Sequence, residues 1–189
     1  MVAILVTPPA AEPVTREEAK LHARIDGTEE DARVDQLIVA ARADVENRTG
    51  RALVTQGWRI VRDAVPRGGV IRLAPAPVQA VSAVTVYGED GAPSVVPTSH
   101  YDVDVASSPG RLVLMRGLGW QGRAVNGLEI DLVCGYGGPE AVPSPLRHAI
   151  LMLVAYWFEV REAAEHGLVE GPVAGRTAAL LAPYRVARL

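Results

Sequence analysis

The sequence predicts an α+β fold, in which terminal helices form a small helical bundle around an inserted, mainly antiparallel β-sheet region. Apolar residues recur at helical spacing towards both ends of the 189-residue chain, but from Leu53 onward they alternate with a period of two. The turn sequences YGEDGA and SSPGR separate neighbouring strand candidates, which favours hairpins. Strands grouped between helices are typical of α+β rather than alternating α/β proteins.

Two helices are predicted before the strands, after an N-terminal extension over residues 1–14. In PVTREEAKLHARID, Thr15 is the expected N-cap and Glu18 completes a capping box, so a short helix begins here and covers 16–24. A second helix is predicted over 29–48, with Gly50 as its C-terminal cap. Its apolar positions have helical spacing: Val34, Leu37, Ile38, Ala41 and Val45.

The β insert is assigned to residues 53–136 and contains six candidate strands, separated by Gly, Pro, Asp and Ser clusters. The candidates are TQGWRIVRDA, GVIRLA, AVSAVTVY, YDVDVA, RLVLMR and LEIDLVCGY. Residues 15–166 together are predicted to form one domain, with residues 167–189 as a linker and C-terminal tail.

A third helix, predicted over 145–165, is apolar nearly all round. Ser144 is its expected cap and Pro145 its first residue. A helix of this kind has to be buried on several sides, either within its own bundle or between subunits. Because three consecutive rings cannot share one helix face, we expect some of them to contact a neighbouring chain: Tyr156, Trp157 and Phe158.

The C-terminal sequence RTAALLAPYRVARL combines three arginines with apolar residues, and no acidic residue follows Glu170. Two interpretations stay open. The segment is either a frayed terminus or a docking peptide that becomes ordered on a partner.

Composition narrows the class of protein. The formal net charge is −3 and the chain has no basic stripe, which disfavours direct binding to nucleic acid. The single cysteine, Cys134, excludes a disulfide framework and a cysteine-rich zinc site, and indicates a reducing compartment. The longest apolar run, Ala149 to Phe158, has ten residues, about half of a bilayer span. The N-terminus also lacks the positive region of a signal peptide, so we expect a soluble protein.

The glycine-rich stretch CGYGGPEAVPSP is not expected to bind phosphate. It lacks the lysine and following hydroxyl of a Walker loop, and prolines interrupt the geometry of a dinucleotide fingerprint. Its glycines are expected to turn the last strand away, and its prolines to prepare the start of the third helix.

Other candidates for chemistry are equally weak. Asp102 and Asp104 lie on one face of a strand, as a metal or glycan site requires, but a half-buried strand shows the same alternation. Cys134 is expected to be a buried, inert thiol. No pair of histidines has ligand spacing on one helix among His22, His100, His148 and His166. No catalytic residue, metal or cofactor is therefore predicted.

The order of segments resembles the head–tail connector proteins of long-tailed phages, also called head-completion or adaptor proteins, and those of gene transfer agents. The resemblance runs from about Glu12 to Glu162. It rests on EPVTREEAKLHARIDGTEEDARVDQLIVAARADVENRTGRALVTQGW, IRLAPAPVQAVSAVTVYGEDG, YDVDVASSPGRLVL and GYGGPEAVPSPLRHAILMLVAYWFEVRE. The shorter connectors of this kind are mainly helical, so the six-strand insert departs from them.

The resemblance implies a structural protein and not an enzyme. It implies a homo-oligomeric ring of roughly twelve copies beneath the portal protein, which offers a platform to the next tail-side connector (stopper) protein. DNA would pass along the axial channel without sequence-specific binding, and no membrane is involved. The implied location is the head–tail neck of a virion or phage-like particle, assembled in the bacterial cytoplasm. We expect the contacts to the portal or a neighbouring subunit at Leu180, Leu181, Tyr184, Arg185 and Arg188.

Two alternatives from other classes remain. The first is a small carbohydrate-binding or hydrolytic β-rich domain that uses Asp102 and Asp104 on the sheet. The second is a monomeric regulatory module, which differs from a connector in its mass in solution.

Overall fold

The computed structural model describes residues 2–115, 122–160 and 172–186. This part of the chain contains four α-helices and eight strands, and the strand pairs are all antiparallel, which confirms the predicted α+β class. The chain divides into two compact units. A β unit contains the N-terminal strand and Thr55–Tyr136, and a helical unit contains Ala11–Val54 and Gly137–Arg185.

The helical unit is built around its third helix. Its helices are α1 (Arg16–Ala23), α2 (Asp31–Thr49), α3 (Ser144–Glu159) and α4 (Pro172–Leu181), and single 3₁₀ turns lie at Pro139–Ala141 and Ala182–Tyr184. Helix α3 contacts all three of the others. Its fully buried residues form the centre of the apolar core: Leu146, Ala149, Ile150, Leu153 and Val154.

The predicted start of the first helix and the predicted C-terminal cap of the second are confirmed, whereas the second helix begins at Asp31 rather than at the predicted residue 29. The Thr15 hydroxyl accepts a hydrogen bond from the Glu18 amide, and the Glu18 carboxylate accepts one from the Thr15 amide. Gly50 ends α2 with a φ of 69°, a left-handed conformation that glycine adopts without steric cost.

The prediction for Ser144 is wrong. The cap of α3 is Pro143, and Ser144 is already the first helical residue, where its hydroxyl makes no capping hydrogen bond. The helix ends at Glu159, and the Val160 amide donates to the Tyr156 carbonyl. The predicted continuation to residue 165 lies outside the described residues.

Ion pairs fix the helices to one another. Arg42 is only 9% exposed and reaches the carboxylates of Glu12 and Glu46 at 2.7 and 2.8 Å. Arg147, on α3, donates to the Glu18 carboxylate at 2.6 Å and to the Pro13 carbonyl at 2.8 Å. Arg42 thus joins α2 to the segment before α1, and Arg147 joins α3 to α1 and to the same segment.

The β unit contains two sheets. The larger has the strand order β1-β2-β8-β4-β5, formed by β1 (Val2–Thr7), β2 (Gln56–Arg62), β8 (Leu128–Cys134), β4 (Val78–Tyr87) and β5 (Pro93–Val95). The smaller has the order β3-β7-β6, formed by β3 (Val70–Leu73), β7 (Gly110–Leu114) and β6 (Tyr101–Asp104). Ile60, Ile130 and Val84 are paired across the larger sheet and fully buried, so they lie on its core face.

Each of the six predicted strand segments contains a strand, and the predicted turns YGEDGA and SSPGR connect the hairpins β4–β5 and β6–β7. Two strands were not predicted. Strand β5 has only three residues, and β1 reads as an unbroken apolar run without polar alternation. A two-residue period is visible only where one face of a strand is buried, and all six residues of β1 are exposed.

Candidate interaction surfaces

Among the described residues, one side of helix α3 is buried within its own unit and the other side is only partly covered. Its core-facing residues are fully buried, whereas Leu151, Met152, Ala155 and Tyr156 are half-buried. The segment from Ala149 to Phe158 carries no charge. The second side of α3 is therefore an apolar surface that the described part of the chain covers incompletely.

The three consecutive rings of α3 differ in burial, as expected for residues that cannot share one helix face. Trp157 is 9% exposed and packs within the helical unit. Phe158 is half-buried beneath Arg33, whose guanidinium carbon lies 5.1 Å from the ring centre. Tyr156 is half-buried as well. Tyr156 and Phe158 are thus the two rings that a second chain can reach.

The C-terminal segment folds onto the helical unit. Helix α4 packs against α3, and both Thr177 and Leu181 are fully buried. Arg51 donates from Nε to the Tyr184 carbonyl at 2.6 Å, which fixes the residue that follows the helix. The segment is therefore held in place up to Tyr184 rather than frayed.

The predicted contact residues of this segment differ in their exposure to solvent. Leu181 points into the core of its own unit. Leu180 and Tyr184 are half-buried, and Arg185 is exposed. Arg188 lies outside the described residues.

The two aspartates of β6, Asp102 and Asp104, do not form a common binding site. Asp104 accepts hydrogen bonds from the Ser107 hydroxyl at 2.6 Å and from Arg111 Nη2 at 2.6 Å, which hold the pKa of its carboxyl well below the ordinary value. Asp102 is exposed on the same strand. The geometry assigns Asp104 to the β6–β7 turn, and the described residues contain no cluster of three or more acidic, histidine or cysteine side chains placed to hold a metal ion.

Cys134 is buried in β8, and burial raises the pKa of its thiol to about 12. The thiolate is the reactive form, so this cysteine is inert in the folded chain, as predicted.

The structure also brings together two histidines that the sequence did not pair. The rings of His22 and His148 lie edge to face with their centres 5.6 Å apart, on α1 and α3. His100 is exposed, and His166 lies outside the described residues.

The outer face of the larger sheet carries a closed charge network. Arg59 donates to the Asp131 carboxylate at 2.6 Å, and the Tyr87 hydroxyl donates to Glu129 at 2.9 Å, which raises the pKa of Tyr87. The Arg123 guanidinium lies 4.4 Å from the Tyr87 ring centre. These charged groups pair with one another across the middle of the sheet.

Among the described helices, none combines the length and apolar character that a bilayer span requires.

The fold is a mixed α+β architecture with a helical unit and an antiparallel β unit, and comparison with known proteins identifies its family. A sequence model of the head completion protein family matches residues 13–171, and the chain belongs to this family. No curated protein matches the chain.

Solved structures agree with this assignment. The chain is 26% identical to a component of the neck of an empty GTA particle computed with C6 symmetry, and 26% identical to a component of the virion of a native gene transfer agent (GTA) particle. It is 27% identical to a component of the neck of a native GTA particle computed with C12 symmetry. Each match covers 100% of this chain and 97% of the other, with a TM-score of 0.79.

Family and structural relatives are components of particles. The role predicted from the sequence, a structural head–tail connector of a phage-like particle, is confirmed.

Proposed function

We propose that the chain forms a closed ring of roughly twelve copies between the portal and the tail of a phage-like particle, with DNA passing through its centre. This proposal rests on one observation. Relatives that match the chain over its whole length are components of particle necks computed with C12 and C6 symmetry. The chain then works as an adaptor that joins two rings and has no enzymatic activity or cofactor.

The half-buried side of α3 supports contacts between copies. Leu151, Met152 and Tyr156 present apolar surface on a helix segment without charge. Covering such surface is favourable by about 25 cal/mol for each Å² removed from water. Together with Phe158, this side is the proposed site of subunit packing.

The C-terminal segment supports a contact with the portal. Leu180, Tyr184 and Arg185 retain accessible surface after α4 has packed, while Leu181 contributes to the core. An exposed arginine beside a half-buried tyrosine is a combination enriched at the centres of protein interfaces. We therefore assign the portal contact to Leu180, Tyr184 and Arg185, with the stopper protein on the tail side.

The test is co-purification with a portal protein, followed by imaging of the complex. Wild type is expected to bind as a ring. A double variant, Tyr184→Ala with Arg185→Glu, is expected to lose portal binding while it stays folded, since both changed side chains have accessible surface.

Arg176→Glu is the matched control, because Arg176 is exposed on α4 and undergoes the same reversal of charge. It should bind the portal like wild type. Absence of a ring for wild type on the portal would overturn the proposed function. Unchanged binding of the double variant would overturn the C-terminal contact alone.

A further inference from the structure

Strand β1 is an open, apolar edge of the larger sheet. Its sequence is VAILVT, without charge or proline, and among the described strands it pairs with β2 alone. Large apolar side chains remain exposed along it: 60% for Val2, 48% for Ile4, 42% for Leu5 and 56% for Val6. An edge strand of this length and composition is a template for association.

Both faces of β1 are open, as well as its edge. Ile4 lies opposite Arg59, on the outer face with the charge network, whereas Leu5 lies opposite Trp58 on the other face. Since Ile4 and Leu5 are both more than 40% exposed, neither face of the strand is covered by the described residues of the β unit. A partner at β1 thus buries side chains from two faces and pairs backbone groups.

The other three sheet edges are protected by features that oppose pairing. Strand β5 has three residues and begins with Pro93, which has no amide hydrogen. Strand β6 carries Asp102 and Asp104, and the four-residue β3 carries the exposed Arg72. Short length, proline and charge are the devices by which proteins prevent strand addition, and β1 has none of them.

The closed ring argues for a second copy of this chain as the occupant, because the matching necks have C12 and C6 symmetry. Each copy has a formal net charge of −3, so neighbouring copies repel one another at long range. Two copies approach at least cost where the surface is uncharged, and β1 is the longest edge strand without charge among the described strands. In a closed ring each subunit also meets two neighbours through two different surfaces, so two lateral surfaces are required.

We propose that the β1 edge is one of the two lateral contacts of the ring, covered by a neighbouring copy through a different surface of that copy. This inference rests on the proposed function, because it assigns part of the contact that closes the ring. A head-to-head pairing of two β1 strands is excluded by cyclic symmetry, since it would join copies in isolated pairs.

The test is Ile4→Lys, with ring formation on the portal followed by imaging and by titration of the subunit. A lysine in the contact places an unpaired charge between copies, so the concentration for half-assembly should rise by about tenfold or more. Ile4 is 48% exposed, so the isolated subunit should keep its circular dichroism spectrum and melting temperature. Should Ile4→Lys unfold the subunit, Val2→Lys, at a site that is 60% exposed, replaces it.

Val95→Lys is the matched control. Val95 is 66% exposed on β5, the opposite edge of the same sheet, and its replacement should leave assembly unchanged. Unchanged assembly of the folded β1 variant, with wild-type rings present, would overturn the edge contact and leave the proposed function standing. Equal loss in both variants would also overturn it. Failure of wild type to form a ring would instead overturn the proposed function.

Discussion

Arg51 and Tyr184 are joined across 133 residues by a hydrogen bond of 2.6 Å from the arginine Nε to the tyrosine carbonyl. Arg51 follows the cap of α2, and Tyr184 ends the 3₁₀ turn after α4.

Replacement of Arg51 by methionine should therefore release the end of the C-terminal segment. A hydrogen bond from a charged donor contributes roughly 1.5–3 kcal/mol. Amide hydrogen exchange of residues 178–185 should accelerate.

Arg176→Met is the control for that change, because it removes the same charge from an exposed site on α4. It should leave the exchange of residues 178–185 as in wild type. Equal acceleration in the two variants would show that charge, and not the bond to Tyr184, governs the segment.

Helix α3 offers a comparison between its two sides. Leu153→Ala removes a fully buried side chain and should lower the free energy of unfolding by about 2–5 kcal/mol. Leu151→Ala changes the half-buried side and should cost about 1 kcal/mol. Urea denaturation followed by circular dichroism measures both. Similar losses would mean that the two sides of α3 are buried alike.

The acidic residues at the start of α2 should make stability depend on pH. Lys20 and then Arg16 hold the pKa of Asp31 below its ordinary value of 3.8, and Arg16 does the same for Asp35. The unfolded chain therefore binds protons at a higher pH than the folded chain. The stabilisation is complete above that ordinary value and is lost as the pH falls through the lowered pKa values.

Arg16→Met tests this dependence. Its melting temperature should be below that of wild type at neutral pH, and the difference should shrink below about pH 4. Arg67→Met, at an exposed site in the β unit, should show no such convergence. A difference that stays constant down to acid pH would contradict the assignment of these pairs.

The aspartates of β6 should respond differently to substitution. Asp104→Asn removes the ion pair with Arg111 and weakens the bond to the Ser107 hydroxyl, so the melting temperature should fall. Asp102→Asn changes an exposed carboxylate and should leave it unchanged. Both variants should still assemble on the portal. Loss of assembly in Asp102→Asn would indicate a role for this strand that the connector function does not include.

Local patterns in the sequence predict most of the elements. The capping box of Thr15 and Glu18 and the left-handed cap at Gly50 involve residues close in sequence, so each is readable without tertiary information. Strand β1 could not be predicted in this way. A strand exposed on both faces has no buried side to impose alternation, and VAILVT contains none.

Contacts over long sequence distances were also not predictable. His22 and His148 meet because α1 packs on α3, and neither sequence neighbourhood indicates the other. Leu181 illustrates a related limit. An apolar residue in a C-terminal segment fits a partner or its own core equally well by composition, and only the packing of α4 shows that Leu181 is buried in its own unit.

Cys134 is the single cysteine of the chain, and it lies within β8 behind fully buried neighbours. A cysteine introduced on the surface would consequently be the one thiol that accepts a maleimide fluorophore or spin label in the native protein. The natural sequence thus already serves as a background for distance measurements between labelled subunits, without prior removal of any residue.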